Sequence, residues 1–148
     1  MIVTAPQRLC LSRTKGFRLQ DASLALNGRK AISCTRGSRW GNPFIVSAIR
    51  QAILFGTDWS SIPVAGSGLW NAFFRSDPFP PDEIRELAQG IAHQAAVELH
   101  RELVWRFEAT SPQTFEHWIA PLRGHNLACW CGPDTVCHTE TLLELANR

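Results

Sequence analysis

"NLACWCGPDTVCHTETLLELANR", residues 126–148, decides how the rest of the chain is read. Its first six residues form a continuous apolar run of strand length, the pattern of a strand covered on both faces in a parallel sheet. "GPDTV" is a tight connection, and Leu142, Leu143 and Ala146 then recur at helical spacing. Strand, short loop, helix is the half-unit of a doubly wound α/β fold. Ligands of such folds bind outside the carboxyl ends of the strands, beside helix amino termini. Cys131 at a strand end, and Cys137 with His138 at a helix start, would lie on that edge.

Upstream, "RLCLSR" (8–13) and "AISCTR" (31–36) have the length and partial alternation of strands. "FIVSAIRQAILFG" changes period, with Ile45, Ile49, Ala52 and Ile53 on one helical stripe and Gly56 placed to end it. From 57 to 80, Pro63, Gly66, Gly68, Pro78 and Pro80 break any long element. This predicts an irregular insertion anchored by Trp59, Trp70, Phe73 and Phe74. A long helix is expected in "PPDEIRELAQGIAHQAAVELHRELVWRF", which opens on proline and acids. A shorter one is expected in "SPQTFEHWIAPL", with Phe115, Trp118 and Ile119 on one face. The expected architecture is one domain over residues 1–148: a small Rossmann-like α/β fold with a mostly parallel sheet flanked by helices.

A chain of 148 residues can bury a core without disulfide staples, and 45% hydrophobic with 19% charged residues describes an ordinary globular protein. Arg8 interrupts the amino-terminal stretch where a signal peptide needs an apolar run, and no run approaches the ~20 residues that span a bilayer. A cytoplasmic, non-membrane protein with reduced cysteines is therefore expected. Positive charge is concentrated early: Arg8, Arg13, Lys15, Arg18, Arg29, Lys30, Arg36 and Arg39 face only Asp21 in residues 1–39. Thirteen arginines against two lysines suit planar, bidentate contact with phosphate or carboxylate. A solvated basic face without a ligand would give the same pattern.

"RGSRWGNPF" (36–44) combines several binding features. Arg36 and Arg39 can hold an anion, and Trp40 offers a face on which a base can stack. Gly41 permits a close backbone approach, and Asn42, held extended before Pro43, projects its amide in a fixed direction. The competing role for Trp40 and Phe44 is to plug the core.

Cys129, Cys131, Cys137 and His138 fall within ten residues. A tetrahedral zinc site accepts three cysteines and a histidine. Against this, side chains at i and i+2 of a strand stand about 6.5–7 Å apart, and neighbours such as Cys137 and His138 diverge. Spacing thus favours a metal-free cluster with sulfurs too far apart to share an ion, leaving zinc as a candidate cofactor held by those four residues. In the metal-free case Cys137, in the first turn of a helix and next to an imidazole, would have a lowered pKa and act as a nucleophile or anion ligand. A third role is core filler, the favoured one for Cys129 alone and for Cys10 and Cys34 in predicted strands.

The carboxyl-terminal "LRGHNLACWCGPDTVCHTETLLELAN", together with "RLCLSRTKGFRL" and "RGSRWGNPF", resembles the DUF4326 family over residues 8–44 and 92–148. The resemblance implies a fold and a site but no activity. The strand, Cys-His, helix arrangement is also similar at the level of fold to DUF488 proteins, a group suspected of acting on nucleic acids or nucleotides.

Two functions are expected. One is a small enzyme acting on a nucleotide, nucleoside or nucleic acid, with Arg36, Arg39, Trp40, Gly41 and Asn42 binding substrate and Cys131, Cys137 and His138 supplying the chemistry. The other is a non-catalytic nucleotide- or nucleic-acid-binding module whose Cys/His cluster is structural. The polar groups converging on one sheet edge favour the enzyme. Its general base would come from Asp134, His125 or His138.

Overall fold

The computed structural model describes residues 4–44, 46, 47, 49, 50 and 81–148, with 81–89 by backbone alone. The expected insertion at 57–80 and most of the expected helix at 44–56 lie outside the described residues. The chain groups into two compact units, one made of residues 1–42 and 104–148 and the other of residues 43–103.

The first unit is built on three parallel strands: β1 (Arg8–Cys10), β2 (Ala31–Ser33) and β3 (Asn126–Cys129), in the order β1-β3-β2. The last strand in sequence is the central one, with Arg8, Leu9 and Cys10 opposite Leu127, Ala128 and Cys129, and Ala31, Ile32 and Ser33 opposite Asn126, Leu127 and Ala128. All four β3 residues are buried, as a strand flanked on both edges and covered on both faces must be. All three strands stop earlier than their apolar runs suggest. Cys131 is therefore past the end of β3, in the loop that follows.

Helix α1 (Leu19–Asn27) links β1 to β2 and was not anticipated from the sequence. Its signal was present in Leu19, Ala22 and Leu26 on one stripe, and in Gly28, whose φ of 74° ends the helix while its N–H bonds the Leu24 carbonyl at 2.8 Å. Two large apolar side chains, Leu24 and Leu26, stay exposed, which weakens the periodic contrast.

The long helix α2 (Pro81–Thr110) and the shorter α3 (Pro112–Ile119) lie where the sequence predicts, and a 3-10 turn (Ala120–Leu122) follows α3 at Pro121. Helix α4 (His138–Asn147) closes the chain. The core of the first unit joins Cys34, Val104, Phe115, Ile119, Leu122, Leu127, Leu142, Leu145 and Ala146. Phe107, Phe115 and Trp118 add an aromatic trio with ring centroids 5.6–6.0 Å apart. In the second unit Phe44 and Ile49 pack with Ala92, Ala95, Ala96 and Leu99. Among the described residues no helix is long and apolar enough to cross a membrane.

One buried polar residue fixes the register of the sheet. Asn126 opens β3 fully buried, and its amide nitrogen donates to Ser23 Oγ (2.8 Å) and Asn27 Oδ1 (2.7 Å). Its amide oxygen accepts from the Gln7 N–H (2.8 Å) and Asn27 Nδ2 (2.9 Å). Both donors and both lone pairs of the amide are thus used. A one-residue slip of the strand would leave them unpaired in the interior.

Candidate metal centre at the carboxyl edge

Because the strands are parallel, the segments leaving them emerge on one edge: 11–18 after β1, 34–42 after β2 and 130–137 after β3. The segment that follows β2 meets the cysteine cluster there through Cys34. The His138 ring lies against the β2 segment, its Nε2–H donating to the Cys34 carbonyl at 2.8 Å.

That bond assigns the ring's orientation. With Nε2 carrying the donated proton, the Nδ1 side faces sulfur: Cys137 Sγ at 3.8 Å and Cys129 Sγ at 3.9 Å. Cys129 and Cys131 Sγ are 3.6 Å apart, and the sulfurs of Cys129, Cys131 and Cys137 all lie within 4.8 Å of one another. Three cysteines this close can hold a metal ion. The expectation of sulfurs too far apart to share an ion is therefore corrected. It treated 129 and 131 as strand neighbours, but β3 ends at Cys129 and the chain bends at Trp130 and Cys131, turning the second thiol back toward the first. Cys137 is likewise extended (φ −143°, ψ 142°) while His138 begins the helix, so the change of backbone direction between them lets both side chains converge.

The surroundings hold the cluster in place. Thr139 Oγ1 donates to Cys137 Sγ at 3.1 Å. Arg8, at the start of β1, spans the loop between Cys131 and Cys137. Its guanidinium donates to the carbonyls of Cys131 (3.2 Å), Gly132 and Thr135 (2.7 Å) and pairs with Glu140 at 3.0 Å. Within the loop, the Thr135 N–H and hydroxyl both return to the Gly132 carbonyl at 3.2 and 2.9 Å.

Without a metal, the electrostatics favour negative charge on one sulfur, that of Cys137. Hydrogen bonds with Cys129 and Cys131 hold the Cys137 thiol well below the usual thiol range, although burial opposes this. The same network, through Cys129 and Cys137, pushes Cys131 upward. Burial pulls His138 down, but its hydrogen bonds to Cys129 and Cys137 outweigh burial and raise the imidazole to about 9. Burial, reinforced by the neighbouring Cys129 and Cys137 charges, pushes the Cys34 thiol up to about 12. Cys34 belongs to the hydrophobic core, as expected of it, and serves the site through its carbonyl.

Accessibility separates the candidate chemical groups. Cys137 is fully buried and His138 is 3% exposed, while Cys131 is half-buried. Of the proposed general bases, Asp134 is exposed in the loop. His125 lies before β3, toward the opposite edge, where its Nδ1–H donates to the Arg123 carbonyl at 2.9 Å.

The "RGSRWGNPF" residues divide by surroundings. Arg36 and Arg39 are exposed, and Trp40, Gly41 and Asn42 are half-buried. Trp40 packs against the core, donates its indole N–H to the Trp118 carbonyl (2.8 Å), and carries the Arg39 guanidinium 4.2 Å from its ring centroid. Trp118 returns a bond to the Arg39 carbonyl at 3.1 Å. Gly41 closes a tight loop in which a Cβ would collide with the backbone of Thr35 and Arg36. Phe44 is buried in the second unit, the core role expected of it.

The basic amino-terminal third is sorted by the fold. Arg8 is used up by the loop at 130–137, and Arg29 ties the amino-terminal side together by donating to the Thr4 and Gly124 carbonyls, both at 2.9 Å. Arg13, Lys15, Arg18, Arg36 and Arg39 sit in the segments of the carboxyl edge and are exposed, with Asp134 the one acid in those segments. An aromatic group that the sequence did not single out joins them. Trp130 is 51% exposed, with the Arg13 guanidinium 5.3 Å from its ring centroid. Its place between Cys129 and Cys131, the two thiols that meet, was the available signal.

A family model described as a domain of unknown function (DUF4326) matches residues 17–148. No curated protein matches the chain, and no solved structure does.

Proposed function

The chain belongs to the DUF4326 family, and from the geometry of its carboxyl edge we propose that it is a zinc-stapled binding module for a nucleotide, nucleoside or nucleic acid. Cys129, Cys131, Cys137 and His138 Nδ1 would hold the ion. The carrying observation is the grouping of three sulfurs within 4.8 Å of one another, two of them 3.8 and 3.9 Å from an imidazole nitrogen whose opposite N–H is already donated to a carbonyl. Zn–S bonds of about 2.3 Å and Zn–N bonds of about 2.0–2.1 Å put tetrahedral ligands about 3.8 Å (S to S) and 3.6 Å (S to N) apart. The separations of 3.6, 3.8 and 3.9 Å fall close to these values. Donation of the second ring N–H to a backbone carbonyl is the usual way in which a metal-binding histidine is oriented. Burial of Cys137 and His138 favours a structural over a catalytic role, because a substrate atom would have to displace the core to reach them.

The zinc would clamp both ends of the loop at 130–137 and so fix the edge on which five cations meet. A Rossmann-like use of that edge, with phosphate held beside the strand ends, fits the charge and the topology. The purified full-length chain should carry one equivalent of zinc by elemental analysis, and cobalt replacement should give thiolate-to-cobalt charge-transfer absorption that is lost in Cys137→Ser. A protein with no metal after expression in zinc-supplemented medium, and no uptake on titration, would overturn the metal assignment.

A further inference from the structure

We propose that the ligand of the basic edge is a single strand of nucleic acid, one base of which stacks on Trp130; this rests on the nucleotide or nucleic-acid function proposed above and names its ligand class. A half-exposed tryptophan next to a buried strand is costly to leave in water. This one sits at the centre of the edge, following the middle strand β3. Its backbone is fixed from both sides, by Cys129 in the strand and by Cys131 in the cluster. The ring is presented at the edge, half-exposed, under the Arg13 guanidinium.

Cations flank it on both neighbouring segments. Arg13, Lys15 and Arg18 follow β1, and Arg36 and Arg39 follow β2. The two outer strands of a three-stranded sheet stand about 10 Å apart. Positive, aromatic, positive across that span matches phosphate, base, phosphate of a strand lying over the edge. Arg13 already stands over the Trp130 ring, and a guanidinium plane can continue a base stack as well as meet a phosphate.

Pairing state follows from the same geometry. A base can lie flat on an indole only if it is unpaired and unstacked from one neighbour, so a duplex offers the edge phosphates alone. A free mononucleotide would reach the ring but only one group of cations. Stacking carries no base code, because every base has a π-face, so weak sequence preference is expected. DNA and RNA share this chemistry, and both enter the test.

The experiment is fluorescence anisotropy of the full-length zinc-loaded protein with labelled 12-nucleotide DNA and RNA single strands, the matching duplexes, and ATP as competitor. Single strands should bind more tightly than duplexes or ATP. The affinity should fall with salt with a log–log slope of up to about −3.5 if all five cations engage, from about −0.7 per phosphate contacted on a single strand. Trp130→Ala should weaken single-strand binding by about 5- to 150-fold while retaining zinc and melting temperature, and Trp130→Phe should recover most of it. Duplex or ATP binding equal to single-strand binding, or unchanged affinity in a zinc-loaded Trp130→Ala, would overturn the stacked single strand alone. Failure of the wild-type protein to bind any of these ligands at low salt would overturn the underlying nucleotide or nucleic-acid function as well.

Discussion

Zinc removal gives the most direct quantitative test. The cluster gathers ligands from the end of β3, the following loop and the start of α4, so a bound ion ties three chain segments of the first unit and has no equivalent site in the unfolded chain. An ion that binds only the folded state adds RT ln(1 + [L]/Kd), about 2.7 kcal/mol when free zinc is 100 times Kd. One kcal/mol shifts the melting temperature of a domain the size of this unit by about 4–8 °C. Chelation should therefore lower its unfolding midpoint by about 10–20 °C, and zinc should restore it. Acid should act in the same direction, because each thiolate that takes a proton leaves the ion, so zinc release grows as pH falls. Scanning calorimetry of the same protein with zinc, with chelator, and with chelator followed by excess zinc measures this. His138→Ala, which removes the proposed imidazole ligand, should lose most of the zinc dependence. An unfolding midpoint that is the same in zinc and chelator, in protein shown to contain the ion beforehand, would refute the staple.

Arg8→Met should loosen the loop at 130–137, since the guanidinium bonds three of its carbonyls. A stability loss of about 2–3 kcal/mol in urea, with faster zinc transfer to a chromogenic chelator, is expected. Asn126→Leu leaves Ser23, Asn27 and the Gln7 N–H without their buried partner. It should cost about 2–4 kcal/mol in urea unfolding, yet leave the proposed zinc binding intact, because Asn126 opens β3 at the end away from the loop at 130–137. Gly41→Ala forces a Cβ into the Thr35 and Arg36 backbone. A loss of about 1–3 kcal/mol is expected, with hydrogen exchange rising first in residues 35–41.

The sequence by itself determined the carboxyl-terminal strand–loop–helix unit, the approximate positions of all three strands, and the helices expected at 80–107 and 111–122, which together make the α/β class. Each is written in short-range periodicity, which the local chain geometry enforces. It also marked every residue of the cluster. Helix α1 was overlooked because nine residues with two exposed leucines give little contrast between faces, although Gly28 announced its end. Tertiary structure alone decided what the marked residues do together. The bend after β3 reverses the direction of Cys131, Arg8 pins that loop from 123 positions away, and the Cys34 carbonyl selects the His138 nitrogen that faces sulfur from 104 positions away. The arginines were equally indistinguishable in the sequence. Parallel pairing sent Arg29 to the amino-terminal side and Arg13, Arg18, Arg36 and Arg39 to the edge with the cysteines, because strand direction, a long-range property, fixes which end of the sheet each connecting segment occupies.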